Sequence, residues 1–264
     1  MLTNILFIFE GEKTENVIVK SLEKSVFKDE KVIKCAFAAD IYQLYETFSK
    51  DEYLDIFSSI RTLNERNAET LKGYDRDDFS EIHLFFDYDG HATANKGKPG
   101  DDKIKEMLDY FNNETEQGKL YISYPMVEAI RHFEDHDSFK ELKAKCKGRN
   151  CPNQESCKDV EVCLEEPHYK CLVGTQCPKM SNMNQYTSLI WKGLINAHLC
   201  KMNYVVNDSY SFPEEFVVQS VIFERQLAKY IRQSCPQVAV LSAFPLWIFD
   251  YYGSEGTKEK LMAL

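Results

Sequence analysis

Three carboxylates carry the most legible chemistry in this chain. Glu10 directly follows the apolar run Leu2 to Phe9, and Asp87 and Asp89 follow the run Glu81-Ile82-His83-Leu84-Phe85-Phe86. Hard divalent cations such as Mg²⁺ or Mn²⁺ take oxygen ligands from one or two carboxylates and keep open positions for water and a substrate phosphate. An Asp-x-Asp turn offers two such ligands if the chain bends so that alternate residues face one ion, and Gly90 eases that bend. Such a site suits phosphodiester hydrolysis, in which metal-bound water attacks, the metal offsets phosphate charge and a carboxylate takes the proton. Taken alone, Asp-x-Asp is equally the composition of a solvated turn.

Other residues belong to the same chemistry or to its surroundings. Glu128 follows the run Leu120 to Tyr124 and Pro125 much as Glu10 and Asp87 follow theirs, and is a candidate ligand or a carboxylate at a helix start. Glu12 and Glu15 also fit the first turn of a helix, where the macrodipole favours acidic side chains. His91 stands where it would touch phosphate or move a proton near neutral pH, or would simply be a loop histidine. Lys96, Lys98 and Lys103 follow the Asp-x-Asp turn, and Lys140, Lys143, Lys145, Lys147 and Arg149 form the densest basic run. Both stretches suit contacts to a phosphate backbone, and both also suit a solvated surface.

Six of the nine cysteines, Cys146, Cys151, Cys157, Cys163, Cys171 and Cys177, are separated by four, five, five, seven and five residues. Four thiolates suffice for a tetrahedral Zn²⁺ site, with His168 as a further ligand, and such a site would order a polar stretch. Free or redox-active thiols and buried cysteines remain open alternatives. The spacing matches neither common ferredoxin pattern. Cys35, Cys200 and Cys235 lie in apolar or helical segments and read as buried small residues.

The elements that must position these groups alternate in type. Strands are expected over Leu2 to Phe9, Lys31 to Ala38, Glu81 to Phe86 and Leu120 to Tyr124, from apolar runs of strand length bounded by turn residues. Helices are expected after Gly11, over one or two stretches of Ile41 to Leu71, over Asp101 to Asn112 and from Val127 to Phe133, where apolar residues recur at helical spacing. Alternation of this kind predicts an α/β domain with a largely parallel sheet flanked by helices, with its site at the carboxyl ends of the strands. From His136 to about Ser181 periodicity fails over a length too great for an ordinary connection, which reads as an insertion. Asn184 to Leu199 and Glu214 to Arg232 have helical spacing, and Val238 to Phe249 is an apolar run interrupted by Pro245. There is no internal repeat.

Strand, then Glu10-Gly11 opening a helix, then a later strand closing in Asp87-Tyr88-Asp89-Gly90, resembles the Toprim domain of topoisomerases, primases and several nuclease families. The run Glu10-Gly11-Glu12-Lys13-Thr14-Glu15 is similar to the motif of the overcoming-lysogenization-defect (OLD) and RloB-like nucleases of bacterial defence systems. The resemblance covers residues 1–135 and rests on two short motifs. It implies that Glu10 is a general acid or base or a metal ligand, and that Asp87 and Asp89 bind metal. In OLD-type nucleases a second acidic residue stands four positions after the first, where this chain has Thr14; Glu15 is one further on and is the candidate ligand here. RloB-like proteins also pair a proline with a glutamate after the third strand, as Pro125 and Glu128 do.

Three parts are therefore expected: a Toprim-like catalytic domain over 1–135, a cysteine-rich insertion over 136–181, and a mainly helical C-terminal part over 182–264 packing on the core. The expected activity is that of a Mg²⁺- or Mn²⁺-dependent endonuclease on DNA or RNA, transfer RNA included, acting as an effector of antiviral defence. A partner ATPase or sensor protein, or self-association, would restrain it. The alternatives are a non-catalytic nucleic-acid-binding or regulatory subunit, and a nucleotide-processing Toprim enzyme. A topoisomerase needs a nucleophilic tyrosine on a separate domain and a primase needs template channels, so a small catalytic domain fits a nuclease better. No G-x-x-x-x-G-K-[ST], G-x-S-x-G, H-E-x-x-H or G-x-G-x-x-G motif is present.

The 264 residues are 44% hydrophobic and 28% charged, which excludes a disordered or collagen-like chain. With 32 Lys and Arg against 42 Asp and Glu, the formal net charge of −10 argues against nucleic-acid binding through a global positive field and leaves only local contacts. The start lacks a basic leader segment and its apolar run stops at Phe9, so neither an export signal nor a membrane span is expected. A cytoplasmic protein with reduced or metal-bound cysteines is the expectation.

Overall fold

Strands buried on both faces read as unbroken apolar runs, and two such runs form the centre of a five-stranded sheet. In the computed structural model, which describes residues 4–28, 32–38, 41–51, 54–88, 100–145, 155, 161 and 168–264, these are β1 (Asn4–Phe9) and β3 (Phe79–Asp87). With β2 (Val32–Phe37), β4 (Asn112–Asn113) and β5 (Gly118–Ser123) the order is β2-β1-β3-β5-β4. The first four of these run parallel and β4 is antiparallel to β5, so the sheet is mixed and mostly parallel. The register sets Phe9 opposite Phe37 and Phe85, and Asp87 opposite Ser123. The carboxyl ends of β1, β3 and β5 therefore lie side by side.

The helices before β5 are α1 (Thr14–Leu22), α2 (Ile41–Phe48), α3 (Ile56–Leu63), α4 (Glu65–Thr70) and α5 (Gly100–Tyr110). Helix α1 runs on into a π-helical turn at Glu23–Phe27. Asp55 caps α3 by accepting from the amides of Phe57 and Ser58, and Asn64 caps α4 by accepting from that of Asn67. Buried Asn67 then closes the outer strand: its Oδ1 accepts from the Phe37 amide at 2.9 Å, and its Nδ2 donates to the carbonyls of Phe37 and Ile60, each at 2.9 Å. An edge that would otherwise present unpaired backbone groups is satisfied there by Asn67 together with Asn64, whose Nδ2 also donates to the Phe37 carbonyl at 3.2 Å.

Beyond β5 the chain forms a 3₁₀ turn (Val127–Arg131), α6 (His136–Glu141), β6 (Lys143–Lys145), α7 (Tyr169–Gln176), α8 (Ser188–Asn207), α9 (Gln219–Gln226), β7 (Gln237–Ala239) and α10 (Ala243–Ala263). Helix α10 is broken at Gly253, whose φ of 67° is in the region glycine favours. Strands β6 and β7 pair antiparallel, and Tyr124 bridges to Leu241 beside them. Phe244 and Trp247 of α10 lay their rings against Phe7, Phe9 and Phe85, with centroid separations from 4.8 to 6.4 Å, so one sheet face is an aromatic layer under the last helix. No helix among the described residues is long and apolar enough to cross a membrane.

Several local expectations differ from what forms. Val127 to Phe133 gives a short 3₁₀ turn rather than a helix, because Val127, Glu128, Ala129 and Ile130 all face inward and leave no solvent stripe. The expected helix over Glu214 to Arg232 begins only at Gln219. Pro245 does not interrupt the last run: it sits in the first turn of α10, where its missing amide costs no helical bond. The stretch from His136 is not irregular at its start, since Asp135 caps α6 through the Ser138 amide and β6 pairs with β7. Cys235 is exposed rather than buried, Cys35 is partly buried and Cys200 is buried.

Candidate functional site

Glu10 leaves β1, Asp87 ends β3, and Glu128 sits in the 3₁₀ turn after β5, so three neighbouring parallel strands deliver a carboxylate each to one rim. The Asp87 amide donates to Glu10 Oε2 at 3.3 Å, which ties the ends of β1 and β3 together. A fourth carboxylate comes from the first turn of α1. Glu15, only 6% exposed, folds back so that its Oε1 accepts from the Gly11 amide at 3.2 Å. Gly11 is needed for this approach, since a Cβ there would lie 2.5 Å from Glu15 Oε1. Glu15 thus turns its side chain back toward the end of β1.

Burial and mutual repulsion both act on these groups. Asp87 titrates well above the ordinary aspartate value, first because its carboxyl is desolvated and then because Glu10, Glu15 and Glu128 repel its charge; the Val127 amide works in the opposite direction. Glu15 is also raised, by burial first and by Glu128 in addition, against the amides of Glu15 and Gly11 and the ammonium of Lys170. A divalent cation relieves this kind of repulsion, and carboxylate oxygens are the donors that Mg²⁺ and Mn²⁺ prefer. No group of three or more His, Cys, Asp or Glu among the described residues is gathered as a metal-holding cluster. Asp89, the second aspartate of the turn, lies outside the described residues.

Lys170 was not marked by any feature of the sequence. It lies in the first turn of α7, and its Nζ is 3.1 Å from Glu128 Oε1. Helix α7 is held on the 3₁₀ turn by a buried relay in which His132 Nδ1 bonds the Tyr169 hydroxyl and His132 Nε2 bonds Gln176 Oε1, both at 2.9 Å. No local pattern announces a lysine brought to the site by an element so distant in the chain. Beside the site, Tyr88 donates its hydroxyl to Asp101 Oδ1 at 3.0 Å and its amide to the Ser123 carbonyl, fixing the chain that leaves Asp87.

The other candidates are placed as follows. Lys103 is paired with Glu46 at 3.1 Å and lies over the Tyr45 ring, so it braces α5 on α2. Glu12 is paired with Arg66 at 2.6 Å at the surface. Lys143 and Lys145 are on β6. Cys171 is an exposed free thiol on α7, and Cys177 is a buried one at its end, raised by burial. His168 immediately precedes α7. His91, Lys96, Lys98, Lys147, Arg149, Cys146, Cys151, Cys157 and Cys163 lie outside the described residues. Compared with the models of known protein families, with curated proteins and with solved structures, the chain matches none.

Proposed function

We propose that this chain is a divalent-metal-dependent endonuclease of the Toprim type, hydrolysing phosphodiester bonds in DNA or RNA. The observation that carries the reading is the convergence of Glu10, Glu15, Asp87 and Glu128 at the carboxyl ends of adjacent parallel strands, with Asp87 raised by burial and then by the other three. The two motifs that resemble OLD and RloB-like nucleases support the same class. In this reading Glu10, Asp87 and Glu128 would hold Mg²⁺ or Mn²⁺, together with Asp89. Such an ion, when bound, would supply a nucleophilic water and offset charge on the phosphate. Glu15, oriented by the Gly11 amide and raised above the ordinary glutamate value by burial, would accept the proton released in hydrolysis. The Val127 amide, bonded to the Asp87 carboxyl, and the Asp87 amide, bonded to Glu10, keep those two side chains in register.

Antiviral defence, restraint by a partner ATPase or sensor or by self-association, and Zn²⁺ on the cysteine-rich stretch belong to the same proposal. Purified protein with Mg²⁺ or Mn²⁺ is expected to cut single-stranded or duplex DNA, RNA or transfer RNA. Glu10→Ala or Asp87→Ala should lower the rate by at least about 100-fold while leaving the fold intact. Absence of cleavage on every one of these substrates, with and without nucleoside triphosphate and co-purified partners, defeats the reading.

A further inference from the structure

The outer edge of the sheet, at β2, opens on a cleft lined by none of Glu10, Glu15, Asp87 and Glu128. Alternate residues of a strand turn their amide and carbonyl to the same side. The Ala38 amide donates to the Phe9 carbonyl at 2.8 Å, so the even-numbered residues of β2 face β1, while Ile33, Cys35 and Phe37 face outward. Asn64 and Asn67 close this edge at Phe37, and Glu23 Oε1 accepts from the Ile33 amide at 3.4 Å. Between them, no hydrogen bond among the described residues takes up the Cys35 amide, which leaves a backbone donor available to a ligand. The cleft over it measures about 220 Å³, with α1 and α4 as its walls. Lys20 comes from α1, Arg66 and Thr70 from α4 and Lys34 from β2, against one lining carboxylate, Glu23. The Cys35 thiol registers all four charges. It is pushed up to about 12, by burial first and Glu23 next, while Lys20, Arg66 and Lys34 pull the other way. At neutral pH the sulfur is therefore an uncharged thiol and adds no negative charge to the floor.

We propose that this cleft binds a phosphate monoester dianion, held by Lys20, Arg66 and Lys34, with the Cys35 amide and the Thr70 hydroxyl as neutral donors. Three cations against one carboxylate leave an excess of two positive charges, close to what such a phosphate brings with its three acceptor oxygens at neutral pH. Arg66 gives one N–H to Glu12 at 2.6 Å and lies over the Phe37 ring at 4.4 Å. Its planar fork is thereby held in place with further donors to spare, in the geometry that phosphate oxygens accept. A cleft of this size lies below those that enclose drug-sized molecules, so the ligand is a small phosphate or the phosphorylated end of a sugar. The site stands whether or not the carboxylates at the strand ends hold a metal.

Titration of the whole protein with inorganic phosphate, ribose 5-phosphate and ribose, at constant pH and ionic strength, tests this through the backbone amide resonances. A phosphate should move the Cys35 amide proton downfield along a saturating curve with a Kd below about 1 mM, and ribose should leave it in place. Combining Lys20→Gln with Arg66→Gln should weaken that binding at least about tenfold. Lys20→Gln alone, at an exposed position of α1, should weaken it about threefold, and keeps the test decisive if the double variant fails to fold. Tighter binding of ribose 5-phosphate than of inorganic phosphate supports the site and identifies its ligand as a sugar phosphate. Equal constants support it with the free anion as ligand. Absence of a saturating Cys35 shift with both phosphates, or an unchanged Kd in Lys20→Gln, overturns the proposal.

Discussion

Asp87 bears the cost of gathering four carboxylates. Its native titration lies well above that of the unfolded chain, so as pH rises past the ordinary aspartate value the unfolded state loses its proton while the native state keeps it. The unfolded state then binds fewer protons, and stability falls as pH rises through that window; it is fully present only below the unfolded value. Glu15 contributes in the same direction. The metal-free thermal midpoint is therefore expected to decline as pH rises above the ordinary carboxylate range. Asp87→Asn should flatten that decline and raise the midpoint at the upper end by about 2–4 °C, while losing metal-dependent activity. Parallel profiles for the two proteins in a thermal shift series would show that Asp87 does not titrate above its ordinary value. Glu10, Asp87 and Glu128 were legible in sequence because each follows an apolar run, and the topology of a parallel sheet does the rest. Glu15 was readable only as one acidic residue near a motif, and Lys170 not at all, since what brings it in is tertiary packing.

The elements around the site were legible where a long run or a repeating stripe announces them, as in β1, β3 and α5. They were hidden where a few residues are held by distant partners. β6 and β7 have three residues each, too few to show any period, and exist because each completes the other. Lys201 shows the same limit inside a helix that the pattern does announce. It is buried on α8, and its ammonium donates to the carbonyls of Phe139 at 2.6 Å and Leu142 at 2.5 Å while lying over the Phe139 ring. That one side chain fastens α8 to the end of α6 and the start of β6. Desolvation lowers its titration to about 7. Lys201→Ala removes both ammonium bonds, leaves each carbonyl with only its backbone donor and opens a cavity beneath the ring, for an expected loss of about 3 kcal/mol. Chemical denaturation should show this as a lower midpoint with an unchanged slope. A variant as stable as the wild type would mean that solvent replaces the ammonium without cost.

For the molecule as a whole, a formal net charge of −10 and a carboxylate cluster at the rim oppose a polyanion until cations intervene. Binding of a fluorescent single-stranded oligonucleotide at fixed ionic strength should therefore be at least about tenfold tighter in Ca²⁺ than in chelator. The combination of Glu10→Gln and Asp87→Asn should remove the difference. Equal binding by the wild type in both conditions would move the strand away from the carboxylates, onto some other surface.

Both tryptophans of the chain are fully buried, each against an element that carries one of the carboxylates. Trp191 donates its indole N–H to Ser21 Oγ of α1, the helix that carries Glu15, at 2.9 Å. Trp247 packs edge-on against Phe7 of β1, the strand that delivers Glu10. Intrinsic fluorescence is thus a built-in gauge of the two elements that frame the cluster. Its emission belongs to an apolar environment, and a red shift reports their separation from the core without any added label.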